Sequence, residues 1–130
     1  MLEMDFYSNE TVYSSDILIS DWSGITYEFS LSTLKPVIFI NTKMKVSNPN
    51  WNKLSLEPLM LSLRDEIGIS LEKQDVRNIA ETIDMLLSQR EVYQERIAAV
   101  RSKYLFHFGE SGRVAGKYIL KQLTKKEEWW

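Results

Sequence analysis

The sequence has no cysteine, one histidine and no long apolar stretch. Without cysteine the fold cannot be stabilised by a disulfide bond, and this absence is typical of a reducing compartment. The longest apolar runs are four or five residues, far short of the roughly 20 residues that a membrane-spanning helix needs. The start, MLEMDFYSNE, is acidic, unlike a signal peptide. We therefore expect a soluble intracellular protein.

A strong charge of one sign is also missing. The formal net charge of -2 gives no broad attraction for nucleic acid or anionic lipid, although a local basic patch can still act. We predict no nucleic-acid partner.

The 130 residues are enough to bury about two thirds of the unfolded surface. We expect one domain over residues 1–123 and a tail over 124–130.

The sequence does contain a pattern of strand, turn, helix and strand over residues 15–41. Asp16–Ser20 and Val37–Ile40 carry unbroken apolar runs, which predict two strands covered on both faces in a parallel sheet. Lys35-Pro36 ends the intervening helix. The crossover has room for a helix of about three turns. We predict a βαβ unit and an α/β fold.

The turn Asp21-Trp22-Ser23-Gly24 lies at the carboxyl end of the first strand, where open parallel sheets bind ligands. If the helix starts near Ser23 or Gly24, its first N–H groups have no internal partner. Together with the Ser23 hydroxyl they favour an anion such as phosphate. The alternative is that Asp21 or Ser23 simply caps the helix, as these residue types commonly do.

After the second strand the sequence predicts a long loop and then mostly helices. The loop covers residues 41–52, around Asn-Pro-Asn. A short helix within 54–68 starts near Pro58 and ends at Gly68. Further helices are predicted at 74–88, 91–105 and 113–123, with a glycine-containing loop at 106–112. Short extended pieces are predicted at 5–7 and 69–71. The predicted apolar stripes are Leu59, Leu63 and Ile67; Val76, Ile79, Ala80, Ile83, Leu86 and Leu87; and Tyr93, Ile97, Val100 and Tyr104.

Two parallel strands are too few for a stable sheet, since sheets normally hold about four to six. Either residues 1–14 and the stretch after Ile67 add strands, or the chain is the later part of a larger, truncated domain. We favour the second explanation. An exposed strand edge would then favour self-association, so a homodimer is expected to be possible.

Four segments carry a family resemblance: DILISDWSGITYEFSLSTLKPVIFI, KVSNPNW, EPLMLSLRDEIG and FGESGRVAGKYIL. Over residues 15–121 they resemble the carboxyl-terminal part of the CDP-glycerol glycerophosphotransferase family, which builds teichoic acids and capsules. That family is similar to two-domain GT-B glycosyltransferases. The resemblance implies a Rossmann-like parallel sheet flanked by helices, the donor-binding carboxyl-terminal half of a GT-B fold, with the amino-terminal half missing from this chain.

The resemblance also implies a binding site at the turn. Asp21, Trp22, Ser23 and Gly24 occupy the place of the family's Asp-aromatic-Ser-Ser turn, where hydroxyls and amides meet the diphosphate of the donor. Here Gly24 replaces the second serine, so one hydroxyl is absent and only the amide remains. Glu28 lies near the place where many GT-B enzymes put a carboxylate on the nucleotide ribose.

A second motif lies near the end of the chain. Ser111 and Arg113 match a Ser-x-Arg of the family, whose arginine is expected to neutralise donor phosphate. The acidic residue usual before that motif has at most Glu110 as a counterpart. Charge that builds on the diphosphate during transfer needs stabilisation, which a helix start, a hydroxyl and a guanidinium can supply. No Asp-x-Asp or histidine cluster is present, so we predict no metal and no cofactor.

Other candidates have ordinary alternatives. His107 is a conceivable acid or base, but a partly packed side chain is the simpler interpretation, and the catalytic residues stay unknown. Trp22 either stacks on the cytosine base or packs in the core. Lys43, Lys45 and Trp51 either touch donor or acceptor or form a solvated loop that Trp51 anchors. Trp129 and Trp130 either rest on a membrane interface or belong to a frayed terminus.

These observations lead to one hypothesis and one rival. The chain is expected to be the donor-binding part of a transferase that moves glycerol phosphate, or a related polyol or sugar phosphate, from a CDP-linked donor to a surface or capsular polymer. It would work in the cytoplasm at the inner face of the membrane, with peripheral membrane contact in the full-length protein. Alone, without the other half, it is expected to be inactive. The rival is a non-catalytic interaction or dimerisation module derived from the same fold.

Overall fold

The structure, a computed structural model, describes residues 10–125 apart from Lys45, Ser47 and Leu54. The extended piece predicted at residues 5–7 and the membrane role predicted for Trp129 and Trp130 lie outside the described residues. The chain divides into two compact units, Met1–Val100 and Arg101–Trp130. No helix in the described part of the chain is long and apolar enough to cross a membrane.

The elements alternate between strands and helices in the first unit and are helical towards the end of the chain. Short 3-10 helices cover Trp51–Lys53 and Lys73–Asn78. The helices and strands in chain order are α1 (Glu10–Ser14), β1 (Leu18–Ser20), α2 (Ile25–Thr33), β2 (Val37–Asn41), α3 (Leu59–Ser62), α4 (Arg64–Ile67), β3 (Gly68–Glu72), α5 (Ile79–Ser88), α6 (Arg90–Tyr104) and α7 (Ser111–Lys125).

The predicted βαβ unit is confirmed. β1 and β2 are parallel, with Leu18 opposite Val37, and α2 lies between them in the chain. The helix ends at Leu34, which adopts a left-handed conformation with φ 59°. Lys35 then donates to the carbonyl oxygens of Tyr13 (2.9 Å) and Ser15 (2.6 Å), which holds the end of α1 beside the start of β2.

The described residues add a third strand directly after Ile67, as the less favoured of the two explanations expected for that stretch. The extended piece predicted at 69–71 is β3, which pairs parallel to the other edge of β2 and gives the order β1-β2-β3. Val37, Ile38 and Phe39 of the central strand are fully buried, as expected for a strand covered on both faces. The same expectation was wrong for β1, because it is an edge strand whose Ile19 is 46% exposed. The protein is therefore an α/β fold with a parallel sheet flanked by helices, consistent with a Rossmann-like arrangement.

The predicted helical stripes form the core in part, since Leu59 and Ala80, both predicted on these stripes, are exposed. Leu63, Ile67, Leu86, Tyr93 and Ile97 are buried together with Val100. The segment predicted as one helix from Pro58 is two short helices, α3 and α4, that meet at Leu63. The helix predicted at 74–88 is a 3-10 turn followed by α5, which leaves Leu87 on the outside, 43% exposed.

α2 is rich in hydroxyl residues, which compete with helix formation unless they bond back to the main chain. Thr26 donates to the carbonyl oxygen of Ser23 and Thr33 to that of Phe29, both at 2.7 Å. Ser30 is fully buried, and its hydroxyl has no hydrogen-bond partner among the described residues. Back-bonding therefore anchors both ends of α2, while its middle carries an uncompensated polar group.

The second unit contains a turn and the last helix. The loop predicted at 106–112 is a turn at 106–110, where His107 and Gly109 have φ values of 56° and 78°. α7 starts at Ser111, two residues earlier than predicted, and reaches Lys125. The carbonyl oxygen of His107 accepts the Ser111 hydroxyl (3.0 Å) and the Glu110 N–H (2.8 Å), and these bonds fix the helix start.

The close approach of β2 and β3 at Gly68 generates a stability prediction. A Cβ atom at this position would lie 1.9 Å from the carbonyl oxygen of Val37, so no side chain fits. Gly68→Ala should therefore lower the free energy of unfolding by about 3 kcal/mol or more, as overpacking against backbone does. Urea unfolding measures this loss.

Gly24→Ala is the matched control. A Cβ atom at Gly24 meets nothing within 4 Å, and its φ of -63° suits any residue. The loss there should stay below about 1 kcal/mol, the ordinary cost of alanine at a helix start. Equal losses for the two variants would show that β3 does not approach β2 as described.

Candidate functional site

The carboxyl ends of the three strands meet at one edge of the sheet, and polar side chains tie them together. β2 ends at Asn41, whose side-chain amide donates to the Glu72 carboxylate at the end of β3, at 2.7 Å. The Thr42 hydroxyl lies 3.3 Å from the carboxylate of Asp21, just after β1. This edge holds the predicted ligand turn.

The turn of residues 21–24 leads into α2 without a side-chain cap. Gly24 is the residue before the helix, and no described side chain caps it, so the alternative in which Asp21 or Ser23 caps α2 is wrong. Asp21 is instead oriented towards Thr42. The Ser23 hydroxyl makes no hydrogen bond to any described residue.

Fewer main-chain donors are free than the sequence suggested. The N–H of Thr26 bonds to Ser23, and those of Tyr27 and Glu28 bond to Gly24, at 3.1 to 3.4 Å. Among the described residues no acceptor lies on the N–H groups of Gly24 and Ile25. The donors available at the helix start are thus two amides and the Ser23 hydroxyl, a set that suits a phosphate oxygen.

Trp22 links this turn to the loop after β2. Its side chain is half-buried, and its indole N–H donates to the carbonyl oxygen of Thr42 at 2.9 Å. The guanidinium of Arg64 lies 4.0 Å from the centre of its ring. Trp22 also lines a pocket, so it both packs on the protein and contributes a surface that a ligand can reach.

Arg64, the first residue of α4, is the residue of this edge that sequence reasoning missed. It is only 6% exposed, between the rings of Trp22 and Phe39 (4.0 and 4.3 Å), and donates to the Asn41 side-chain oxygen at 2.8 Å. No carboxylate forms an ion pair with it among the described residues. In the sequence Arg64 stands before Asp65 and Glu66, which gives the pattern of an ordinary charged surface.

Burial and charge act against each other at Arg64. Desolvation lowers the pKa of its guanidinium, and the nearby Tyr27, Asp65 and Asp21 partly oppose that effect. Burial likewise raises the pKa of the Tyr27 phenol, against the pull of Arg64. An arginine keeps its proton under such shifts, so a fixed positive charge lies beneath the turn. The Tyr27 hydroxyl donates to the carbonyl oxygen of Met60.

An apolar pocket of about 190 Å³ opens beside Trp22. This volume is below the roughly 300 Å³ at which pockets for drug-sized ligands begin, so it suits one ring and not a whole nucleotide. Trp51 is half-buried in its wall, in line with the predicted anchoring of the loop. The lining residues are Trp22, Met44, Val46, Asn48, Trp51, Pro58, Met60 and Leu61.

The structure does not bring Glu28 to this pocket. Glu28 lies in the first turn of α2, is exposed, and lines a different cavity with Val12, Tyr13, Ile25, Phe29 and Ser32. None of these residues lines the pocket beside Trp22. The ribose contact expected for Glu28 stays a prediction.

The Ser-x-Arg motif and His107 belong to the second unit. The Arg113 guanidinium pairs with the Glu110 carboxylate at 2.7 Å, with both side chains more than half exposed. The Ser111 hydroxyl is used at the start of α7. His107 is exposed, which does not fit the partly packed side chain expected for it. The roles predicted for these residues stay predictions. An exposed ion pair is weak, so Glu110 does not prevent Arg113 from meeting a phosphate.

Two lysines were also considered as contacts to the donor or the acceptor. Lys43 is exposed in the loop after β2, and the contact expected for Lys45 lies outside the described residues. Within the described ranges no three His, Cys, Asp or Glu side chains are grouped so as to hold a metal ion.

The fold and this edge define the class of protein: an α/β domain with a parallel sheet and a polar, arginine-supported edge at the strand ends. Comparison with protein-family models, curated proteins and solved structures finds no match. The specific function therefore has to be argued from the chain itself.

The packing of Arg64 generates the second prediction. Arg64→Ala should lower the free energy of unfolding by at least about 2 kcal/mol, because it leaves a cavity between two rings. Arg64→Met keeps most of the volume and removes the buried charge, so its loss should be below about 1.5 kcal/mol. Arg77 is the control, because it is exposed and its one side-chain hydrogen bond among the described residues is to the Gln74 carbonyl; Arg77→Ala should cost about 0.5 kcal/mol or less. If Arg64→Ala is as mild as Arg77→Ala, Arg64 is not packed as described.

Proposed function

We propose that this chain is the donor-binding part of a transferase that moves glycerol phosphate, or a related sugar or polyol phosphate, from a CDP-linked donor to a surface or capsular polymer. The four resembling segments suggest the family, and the GT-B half is part of the proposal. One observation carries it: the uncapped start of α2 lies at the carboxyl edge of a parallel sheet, beside an aromatic pocket and a buried arginine.

The base of the donor would occupy the pocket beside Trp22. The pocket is apolar, has room for about one ring, and offers the indoles of Trp22 and Trp51 as stacking surfaces. Asn48 in the lining supplies an amide that can pair with the polar edge of a pyrimidine. One face of Trp22 is already covered by Arg64, which holds the ring in place for a ligand on its remaining surface.

The diphosphate would meet the start of α2. The N–H groups of Gly24 and Ile25 and the Ser23 hydroxyl are the donors, and the helix dipole adds roughly 0.3 to 1 kcal/mol. Arg64 contributes a positive charge that the protein has not neutralised with an ion pair among its described residues. Because that charge is fixed and largely removed from water, it acts on an anion more strongly than a solvated lysine does.

The proposed transfer needs a catalytic base that we do not assign to this part of the chain. Transfer of glycerol phosphate breaks the bond between the β-phosphorus and the bridging oxygen, forms a bond from phosphorus to an acceptor hydroxyl oxygen, and releases CMP. The acceptor proton has to go to a base, and we assign that base to the amino-terminal half that the proposed GT-B enzyme would have. The role of the described residues is to bind the donor and stabilise charge on the leaving group. The family resemblance also assigns Arg113 to donor phosphate.

Calorimetric titration with CDP tests the proposal. Gly24→Ser should tighten CDP binding about fivefold, since one more hydroxyl at an open position adds about 1 kcal/mol. Ser23→Ala should weaken binding by a similar factor, and Arg64→Met and Arg113→Ala should also weaken it. Gly24→Ala controls for backbone effects at the turn.

Titration with cytidine, which carries no phosphate, distinguishes the part of the proposed site that binds the base from the part that binds the phosphates. If the base lies in the pocket beside Trp22 and the phosphates at the turn, the Gly24→Ser change should affect CDP and leave cytidine unchanged. GMP should give less heat than CDP. Equal heats for CDP and GMP, or a Gly24→Ser effect that cytidine shares, would refute the donor site.

The rival function, a dimerisation module, has its own supporting observation. β1 is an edge strand with Ile19 46% exposed, and no described residue pairs with its outer edge. An open apolar edge can add a strand from a second copy. The rival then uses the same fold without a nucleotide.

Sedimentation at several protein concentrations distinguishes the two functions. A dimer that CDP does not affect, and that Ile19→Lys dissociates, would support the rival, because a lysine on an edge strand blocks strand addition. Val92→Lys, at an exposed position of α6, is the matched control and should leave the dimer intact. A monomer at all concentrations would exclude the rival.

A further inference from the structure

Charge is divided unevenly along the chain. Residues 101–130 contain seven Lys and Arg against three Asp and Glu, a net charge of +4. Residues 1–100 contain nine against fifteen, a net charge of -6. Such asymmetry between parts of one chain is typical of a segment that meets an anionic surface.

α7 concentrates this positive charge. The helix Ser111–Lys125 contains no acidic residue. Arg113, Lys117 and Lys121 follow one another at four-residue spacing, which puts them in one row on the helix. Lys117 and Lys121 are exposed, and neither has an ion-pair partner among the described residues. Two cations are thus held side by side without local compensation.

An apolar surface lies next to that row. Ala115, Ile119 and Leu123 form one four-residue row, and Gly116 and Leu120 form the row between it and the basic residues. Ile119, Leu120 and Leu123 are 57%, 65% and 59% exposed. An exposed leucine alone is ordinary, but three in adjoining rows of one helix form an apolar face with no cover in the described residues.

We propose that α7 docks on an anionic lipid surface, with its apolar rows at the acyl boundary and Lys117 and Lys121 against the headgroups. A helix with separate basic and apolar faces binds a membrane in this way. At about 1.5 Å per residue α7 is about 22 Å long, shorter than the roughly 30 Å of a bilayer core, so it lies in the interface plane. The flexible stems of the lysines let the ammonium groups reach phosphate while the helix is partly embedded.

Two other partners fit less well. Nucleic acid would neutralise the lysines but leave Ile119, Leu120 and Leu123 in water. A second copy would cover the apolar rows but bring two lysine rows of like charge towards each other, which is unfavourable. Of these three partners, an anionic lipid surface is the one that satisfies both faces at once.

Vesicle co-sedimentation of the full chain tests the proposal. We expect binding to phosphatidylcholine vesicles that contain phosphatidylserine, and little binding to phosphatidylcholine alone. Each cation near such a surface contributes about fivefold in affinity. Lys117→Glu together with Lys121→Glu should therefore weaken binding at least about thirtyfold, and Leu120→Ser should weaken it through the apolar face.

Lys53→Glu together with Lys73→Glu is the matched control. Both lysines are exposed, and the net charge changes by the same amount, so an effect of total charge alone would appear equally in both double variants. We expect the control to retain most of its binding. Raising the ionic strength from about 0.1 M to about 1 M, which shortens the Debye length from about 10 Å to about 3 Å, should also release the wild-type chain.

Several outcomes would overturn the proposal. They are equal binding to both kinds of vesicle, equal losses in the two double variants, tighter binding to duplex DNA than to vesicles, or a dimer that Leu120→Ser dissociates. The inference does not rest on the proposed donor site. CDP titration of the Lys117→Glu, Lys121→Glu variant should match wild type, so failure of either idea can be recognised separately.

Discussion

The central strand imposes the constraint on which the first unit depends. Val37, Ile38 and Phe39 have no exposed surface, and Gly68 lets β3 approach so closely that any side chain there would strike the Val37 carbonyl. With parallel neighbours on both sides, β2 brings three strand ends to one edge. The turn after β1 and the polar side chains after β2 become neighbours for that reason, although about twenty residues separate them, as in the Trp22 to Thr42 hydrogen bond.

Arg64 shows how this edge combines stability with a charge that a ligand could use. A buried guanidinium is costly unless its surroundings compensate for lost water. Here two aromatic faces and one amide oxygen do so, and no carboxylate neutralises it among the described residues. The positive charge therefore stays without an ion pair in a place of low dielectric. The same contacts hold Trp22 against the sheet. The Arg64 side chain therefore both positions a wall of the pocket and supplies the positive charge.

Local patterns predicted much of the fold but little of the site. The apolar runs of β1 and β2 and the Lys35-Pro36 break identified the βαβ unit, since strand and helix periods differ clearly there. They did not reveal that β1 is an edge strand, because an apolar run has the same appearance at an edge as in the centre. The turn was found because it follows a strand. Arg64 was missed because its role depends on α4 packing against Trp22 and Phe39, which sequence spacing does not encode.

The proposed diphosphate site lies in an acidic unit, whose net charge is -6. The distance of the acidic side chains from the site decides how much this net charge matters. Exposed acidic side chains are screened beyond about 8 Å at physiological ionic strength, whereas a buried charge is screened far less. At the start of α2 the groups are two free amides and a hydroxyl, with Asp21 turned towards Thr42, and the Arg64 guanidinium lies against the ring of the neighbouring Trp22. For the proposed donor, these nearby groups therefore count for more than the net charge of the whole unit.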